Sequence, residues 1–412
     1  MQIQGYQKRI FWRAFRRSKS FLVAISRHLG DRRVIRFGVL LASGCLGIIT
    51  SRASEVTLLR TPDGGIQPQA TVDDKGVLHL IYFQGEARAG NIFYVRKQSD
   101  SEKFSKPIHV NHRAGSAIAI GTIRGAQFAL GRAGRIHVVW NGTATASNHV
   151  GAPLFYTRSN EAGTAFENER DMITFAAGLD GGSSVAADPK GNVYVTWHAR
   201  APDAPEGEAG RAVFVARSTD DGTKFAHERR ATQEPTGACG CCGMRSSAGT
   251  DGSLYVLYRG ASEKINRNEI LLVSQNQGED FEVAFEHPWK IGSCPMSSAW
   301  LASAKTGMLA AWETDGQVYL APVQGKKIAV SKPITPSGAG KRKHPVAVAN
   351  SNGEILLAWT EGTGWQKGGA VAWQRFDALG KALGEQGRSE GVPVWSLAAA
   401  YAKPDGNFVI VY

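Results

Sequence analysis

The sequence is poor in cysteine, with five in 412 residues. That excludes a small disulfide-stapled scaffold, which is built at far higher cysteine density. Acidic residues are scarce near the N-terminus, where residues 1–53 hold eleven Lys/Arg against Asp31 alone. This segment accounts for +10 of the formal +12, so residues 54–412 carry only +2. The main body lacks the basic excess that grips a phosphate backbone, and no nucleic-acid partner is expected. A helix-spanning apolar run of about 20 residues is missing too. Absent as well are a phosphate-cradling glycine loop, a serine nucleophile elbow and a Cys-x-x-Cys-His haem motif. What is present is 42% apolar residue, enough to bury a sizeable core, and 48 glycines, which imply many turns.

The basic segment runs into an apolar stretch at 37–50, of a length suited to the core of an export signal. Ser51, Arg52 and Ala53 put small residues at −3 and −1 of a cleavage site before Ser54. Residues 42–45 (Ala-Ser-Gly-Cys) form a loose lipobox, so lipidation at Cys45 and an uncleaved anchor are the alternatives to cleavage. Residues 1–53 are therefore read as an export leader and 54–412 as one domain. A periplasmic or extracellular location is expected, with membrane contact only through the leader or a lipid anchor.

After the leader the chain repeats itself. Strand-like runs at 77–82, 135–140, 192–197, 253–258, 308–312, 354–359 and 407–412 each close on an aromatic residue. These aromatics (Tyr82, Trp140, Trp197, Tyr258, Trp312, Trp359, Tyr412) are spaced by 58, 57, 61, 54, 47 and 53 residues. Six runs follow a glycine turn, which is hairpin chemistry. A small sheet of short strands cannot bury both faces alone, so neighbouring units must stack, and at this period the solution is a β-propeller. Seven four-stranded units are expected, six being the alternative. The last copy lacks outer strands, and a lone strand at 55–60 is read as the closure joining the N-terminus to it.

Between the repeats, Ser218, Asp220, Gly222 and Phe225 form a Ser-x-Asp-x-Gly-x-x-aromatic turn, with weaker echoes at 159–166 and 274–281. This resembles the Asp-box of sialidase-like β-propellers, in which such turns brace the periphery. The resemblance implies a glycan partner and, by analogy, an exo-glycosidase. The Arg60 segment (Leu-Arg-Thr-Pro) is a faint likeness of the sialidase Arg motif, and no further arginines or acid of the triad are apparent.

Residues after the closing aromatics should rim one face near the axis, giving a polar collar of Asn141, His198, Arg259, Glu313 and Glu361. Arg245 adds a further cation, with Asn141, His198, Arg245 and Arg259 as ligand-binding candidates. Arg259, Glu313 and Glu361 are the candidate anion grip and acid/base pair. On the same face Cys242 and Met244 align with Cys294 and Met296 of the next unit, and His344 takes the equivalent slot after that. With Cys239 and Cys241 these residues read as disulfides, Cys242 to Cys294 first, or as a soft-metal site for copper or zinc. Three readings follow: a module binding a glycan or an extracytoplasmic protein, a glycosidase, and a soft-metal protein.

Overall fold

The computed structural model describes residues 54–143, 151–233, 235–305, 307–324, 327–328 and 333–412. The leader, with its cleavage and lipidation readings, lies outside the described residues. From 54 onward the chain forms seven sheets. Six are four-stranded antiparallel blades: blade 1 at 66–109, blade 2 at 127–171, blade 3 at 183–230, blade 4 at 244–287, blade 5 at 299–328 and blade 6 at 342–392. Blade 7 has three strands, Ala399–Ala402, Phe408–Val411 and the N-terminal Val56–Leu59. The molecule is a seven-bladed β-propeller, and the six-bladed alternative is excluded.

The second strands of the blades are rich in apolar residues because they are covered on both faces. Every residue of Ile136–Asn141, Val193–Ala199 and Leu254–Arg259 is buried. The cover comes from the neighbouring blades. Apolar clusters fill the seams between blades 1 and 2, 2 and 3, 3 and 4, and 4 and 5. One cluster spans blades 5 to 7, and another joins blade 7 back to blade 1. The repeating aromatics are the largest pieces of this packing, Trp140, Trp197, Trp312 and Trp359 being wholly enclosed.

The turns joining first and second strands share one construction. Asp73 Oδ1 accepts the backbone N–H groups of Lys75 and Val77; Asp188 Oδ1 does the same for Lys190 and Asn192, and Asn350 Oδ1 for Asn352 and Glu354. A glycine follows three residues after each of these acceptors, with φ of 77° at Gly76, 92° at Gly191 and 84° at Gly353, a region closed to most side chains.

Blade 7 closes the ring by an unusual pairing. Val56–Leu59 runs parallel to Phe408–Val411, with Val56 opposite Phe408. In the other blades the third strand follows by a hairpin and is antiparallel. Here the strand leads directly to Ile66, where blade 1 starts, so it must run as an outer strand does. With no third strand present, it pairs in that strand's place.

At 218–225 the peripheral turn is held from within. Asp220 Oδ1 accepts the Ser218 hydroxyl at 2.7 Å and the Lys224 N–H at 2.9 Å, while Gly222 N–H donates to Ser218 Oγ at 2.9 Å. Phe225 packs edge-on against Tyr156 of blade 2. Ser274, Asn276 and Gly278 make the same bonds in blade 4.

Candidate functional site

The collar residues do stand at the ends of the second strands, but Asn141, His198, Arg259 and Glu313 are sealed and Glu361 is only partly exposed. Asn141 is wholly buried, donating to Asp180 O at 2.7 Å and accepting from the Ser183 hydroxyl at 2.9 Å. His198 Nε2 accepts the Gly182 N–H at 2.6 Å. Burial, reinforced by the neighbouring Arg211, pushes its pKa down to about 3, so the ring is neutral. Arg259 pairs with Glu269 at 2.9 Å and donates to Ser297 Oγ at 3.0 Å, to Arg267 O at 2.7 Å and to Glu313 O. The Glu313 carboxylate accepts the His344 N–H at 2.9 Å and faces Lys343 Nζ at 3.5 Å. Burial nevertheless raises its pKa. Glu361 accepts the Trp359 indole N–H at 2.8 Å and pairs with Arg342 and Arg388.

The expectation of an open polar rim is therefore corrected. Connections between blades, at 110–126, 172–182, 231–243 and 288–298, lie over these strand ends. Their backbone groups need partners, and the collar side chains supply them. Gly181 N–H donates to Gly240 O and Gly243 N–H to Ser297 O, stitching the connections together. Asn141 and His198 are consumed in this way. Arg259 is held instead by Glu269 and Ser297, Glu313 by His344 and Lys343, and Glu361 by Trp359 and Arg342, so that these three form no acid/base pair lining the axial cavity. Arg60 is likewise committed, donating to Gly391 O at 2.6 Å and stacking on Tyr412 at the outermost strand of blade 7.

The cysteines do converge, though not in the expected pairing. Cys294 lies at bonding distance from Cys241, with Cα atoms 6.5 Å apart, and not from Cys242. A turn closed by Cys242 N–H on Cys239 O gathers the three neighbouring cysteines. Cys242 faces inward, its sulfur 3.0 Å from that of Cys239, and Cys239 is 3.6 Å from Cys241. Burial disfavours the Cys242 thiolate, but the hydrogen bond shared with Cys239, the Arg259 charge and the Ser297 hydroxyl overcome it and hold the pKa at about 7. Its partner Cys239 is pushed up by that same bond and by burial. The proposed accessory ligands go elsewhere. Met244 fills the seam between blades 3 and 4, Met296 Cε lies against Gly121, and His344 Nδ1 meets Ser298 Oγ at 3.2 Å.

At the opposite end the axis is open. A cavity of about 870 Å³ runs up from the hairpin turns between the first strands of the blades. Its walls are mostly small residues, including Ala129, Ala187, Ser247, Ala302, Ala349 and Ala402, and the charged residues Asp73, Asp74, Lys75 and Lys403 also line it. Arg245 reaches it from blade 4, stacked 4.0 Å over the Trp300 ring. The partners of its guanidinium are amide oxygens, Gln69 Oε1 at 2.9 Å and Gln127 Oε1 at 3.3 Å. Burial draws its pKa down to about 10, so it remains a cation at neutral pH. On the far side of Arg245 the axis narrows to a pocket of about 40 Å³. Gln67 helps close that end, donating to Ala119 O and Trp395 O. Sequence reasoning named Arg245 but missed Trp300, Gln69 and Gln127. The signal was the small residues along the first strands, against which an arginine and a tryptophan stand out.

No family model matches the chain, and no curated protein matches it. Solved structures do. A Hadza microbial sialidase aligns at 12% identity and a TM-score of 0.43, over 79% of this chain and 74% of that one. The GH93 α-L-arabinofuranosidase of Fusarium graminearum aligns at 11% and 0.46, over 75% and 92%. The Trypanosoma rangeli sialidase aligns at 10% and 0.47, over 76% of this chain and 56% of that chain. The likeness is one of architecture. The propeller itself rests on the chain's own seven sheets, and at these scores nothing about activity follows.

Proposed function

We propose that this protein is an exported binding module whose ligand enters the axial cavity and presents a carboxylate or similar anion to Arg245. One observation carries the reading: the Arg245 guanidinium reaches a cavity of about 870 Å³ while stacked on Trp300, and its hydrogen-bond partners are neutral amide oxygens. A desolvated cation without a counter-charge gains from an incoming anion, and charge-assisted hydrogen bonds are the strong ones. Walls built mostly of small residues admit a ligand of sugar-acid size, which is consistent with the glycan partner that the Asp-box resemblance implies. Export rests on the leader at 1–53, and fractionation of cells producing the full chain tests it.

The glycosidase reading is not preferred, because the two carboxyl groups assigned to it do not line the axial cavity. Glu313 and Glu361 are occupied by His344, Lys343, Trp359 and Arg342. The experiment is a calorimetric titration with N-acetylneuraminate, glucuronate and galactose. The two acids should bind and galactose should not, and Arg245→Gln should weaken the acids by about tenfold or more. Equal binding of galactose, or affinity unmoved by Arg245→Gln, counts against the reading. Turnover of a fluorogenic sialoside that disappears in Glu313→Gln would restore the enzyme.

A further inference from the structure

The connection between blades 3 and 4 (residues 231–243) gathers sulfur more closely than a structural disulfide requires. The Sγ atoms of Cys239, Cys241 and Cys242 all lie within 4.8 Å of one another, and Cys294 adjoins Cys241. The loop is fixed from several sides. Cys239 N–H donates to Arg259 O at 2.9 Å, and Gly240 N–H donates to Glu208 Oε1 at 2.6 Å. Glu208 is itself held by Arg267. Cys239 and Cys242 are each 1% exposed, whereas Cys294 is exposed to solvent.

We infer that Cys239, Cys241 and Cys242 form an all-sulfur site for a thiophilic d10 cation, Cu(I) or Zn(II), which becomes available when the Cys241–Cys294 bond is reduced. Thiolate sulfur is the ligand type that selects these ions. Three thiolates satisfy trigonal Cu(I), and Cys294 stands near enough to complete a tetrahedral zinc set. The surroundings suit the negative charge of such a cluster. Ser297 links Arg259 to Cys242, at 3.0 Å and 3.4 Å, and the Arg211 guanidinium lies beside Gly240. The redox step balances with an external dithiol. Its two thiols become a disulfide, giving two electrons and two protons to the Cys241–Cys294 bond, which breaks to two thiols. The incoming ion then displaces the protons of the sulfurs that bind it. Exposure of Cys294 gives the reductant its point of attack, and the buried pair waits behind it.

The test uses the full chain carrying Cys45→Ser, which removes the leader's thiol. It is handled without oxygen and titrated with Cu(I) against bicinchoninate and with Zn(II) against a pyridylazo dye. The reduced chain should bind about one ion, with a thiolate-to-metal charge-transfer band in the ultraviolet. The disulfide form and Cys242→Ser should each bind at least about tenfold more weakly. Cys294→Ser separates the two ions: retained binding identifies the three-sulfur Cu(I) site, and lost zinc binding identifies the four-sulfur one. The band in the otherwise unaltered chain gives a readout even where a variant fails to fold. A reduced, folded chain whose thiols all react with a labelling reagent, yet which binds neither ion, overturns the inference. So does equal affinity in the disulfide form, which would remove the redox gate.

Discussion

Arg259 and Arg245 belong to the same blade and face opposite fates. Arg259 ends the second strand of blade 4 and is enclosed by Glu269, Ser297 and two backbone carbonyls. Arg245, one strand inward, meets only amide oxygens and an indole at the floor of an open cavity. The contrast separates a cation that builds the protein from one left over for a ligand. It also shows why polarity near a propeller axis is a poor guide to function: the more polar end is the one whose polar groups are already spent.

The largest expected effect tests the first half of that contrast. Arg259→Ala should destabilise the fold by about 3 kcal/mol, because it leaves the buried Glu269 carboxyl, whose pKa burial raises to about 8, and two backbone carbonyls without their donor. Trp197→Ala, which opens the seam between blades 2 and 3, should cost about as much. Urea unfolding followed by tryptophan fluorescence measures the former, and circular dichroism the latter; a loss below about 1 kcal/mol in Arg259→Ala would mean the collar is not sealed.

Acid comes next. His198 and His344 have folded pKa values below the ordinary one, so the unfolded chain binds more protons. Their contribution is complete above the ordinary histidine pKa and is lost as pH falls through the window down to the folded values. Between pH 7 and pH 4.5 His198 should forfeit on the order of 2 kcal/mol, and His344 should act in the same direction. His198→Gln, which keeps an acceptor for Gly182, should flatten the slope; an unchanged slope removes His198 from the account. Smaller again is Asp220→Ala, which loosens a single peripheral turn by about 1 kcal/mol. Smallest is Arg245→Gln, whose stability should stay within about 0.5 kcal/mol of the parent while its anion binding falls.

The wheel was legible in the sequence because its determinants are local and repeated. A glycine turn, a β-branched run and a closing aromatic recur from 77 to 412, and the lone strand at 55–60 announced the closure. The parallel direction of that strand was not legible, since it depends on blade 7 having no third strand of its own. Around the site the reading placed residues correctly by end of strand and misjudged their company. Asn141, His198 and Glu313 are where the repeat put them, but Asn141 and His198 find partners in connections that carry no pattern, and Glu313 finds Lys343 and His344 on the first strand of the next blade. The cysteines failed for a local reason. Cys241 and Cys242 are neighbours, so repeat alignment could not tell which turns out toward Cys294 and which turns in toward Cys239. Arg245 and Trp300 were visible as types, but their meeting across two blades follows only from the curvature of the ring.

Bromide distinguishes an available cation from an occupied one, and its anomalous scattering locates it without any assumption about the natural ligand. In crystals soaked with bromide, the account predicts a peak in the axial cavity beside the Arg245 guanidinium and none beside Arg259. Bromide seated among Arg259, Asn141 and His198, with the cavity empty of it, would contradict the assignment of the open and the sealed ends.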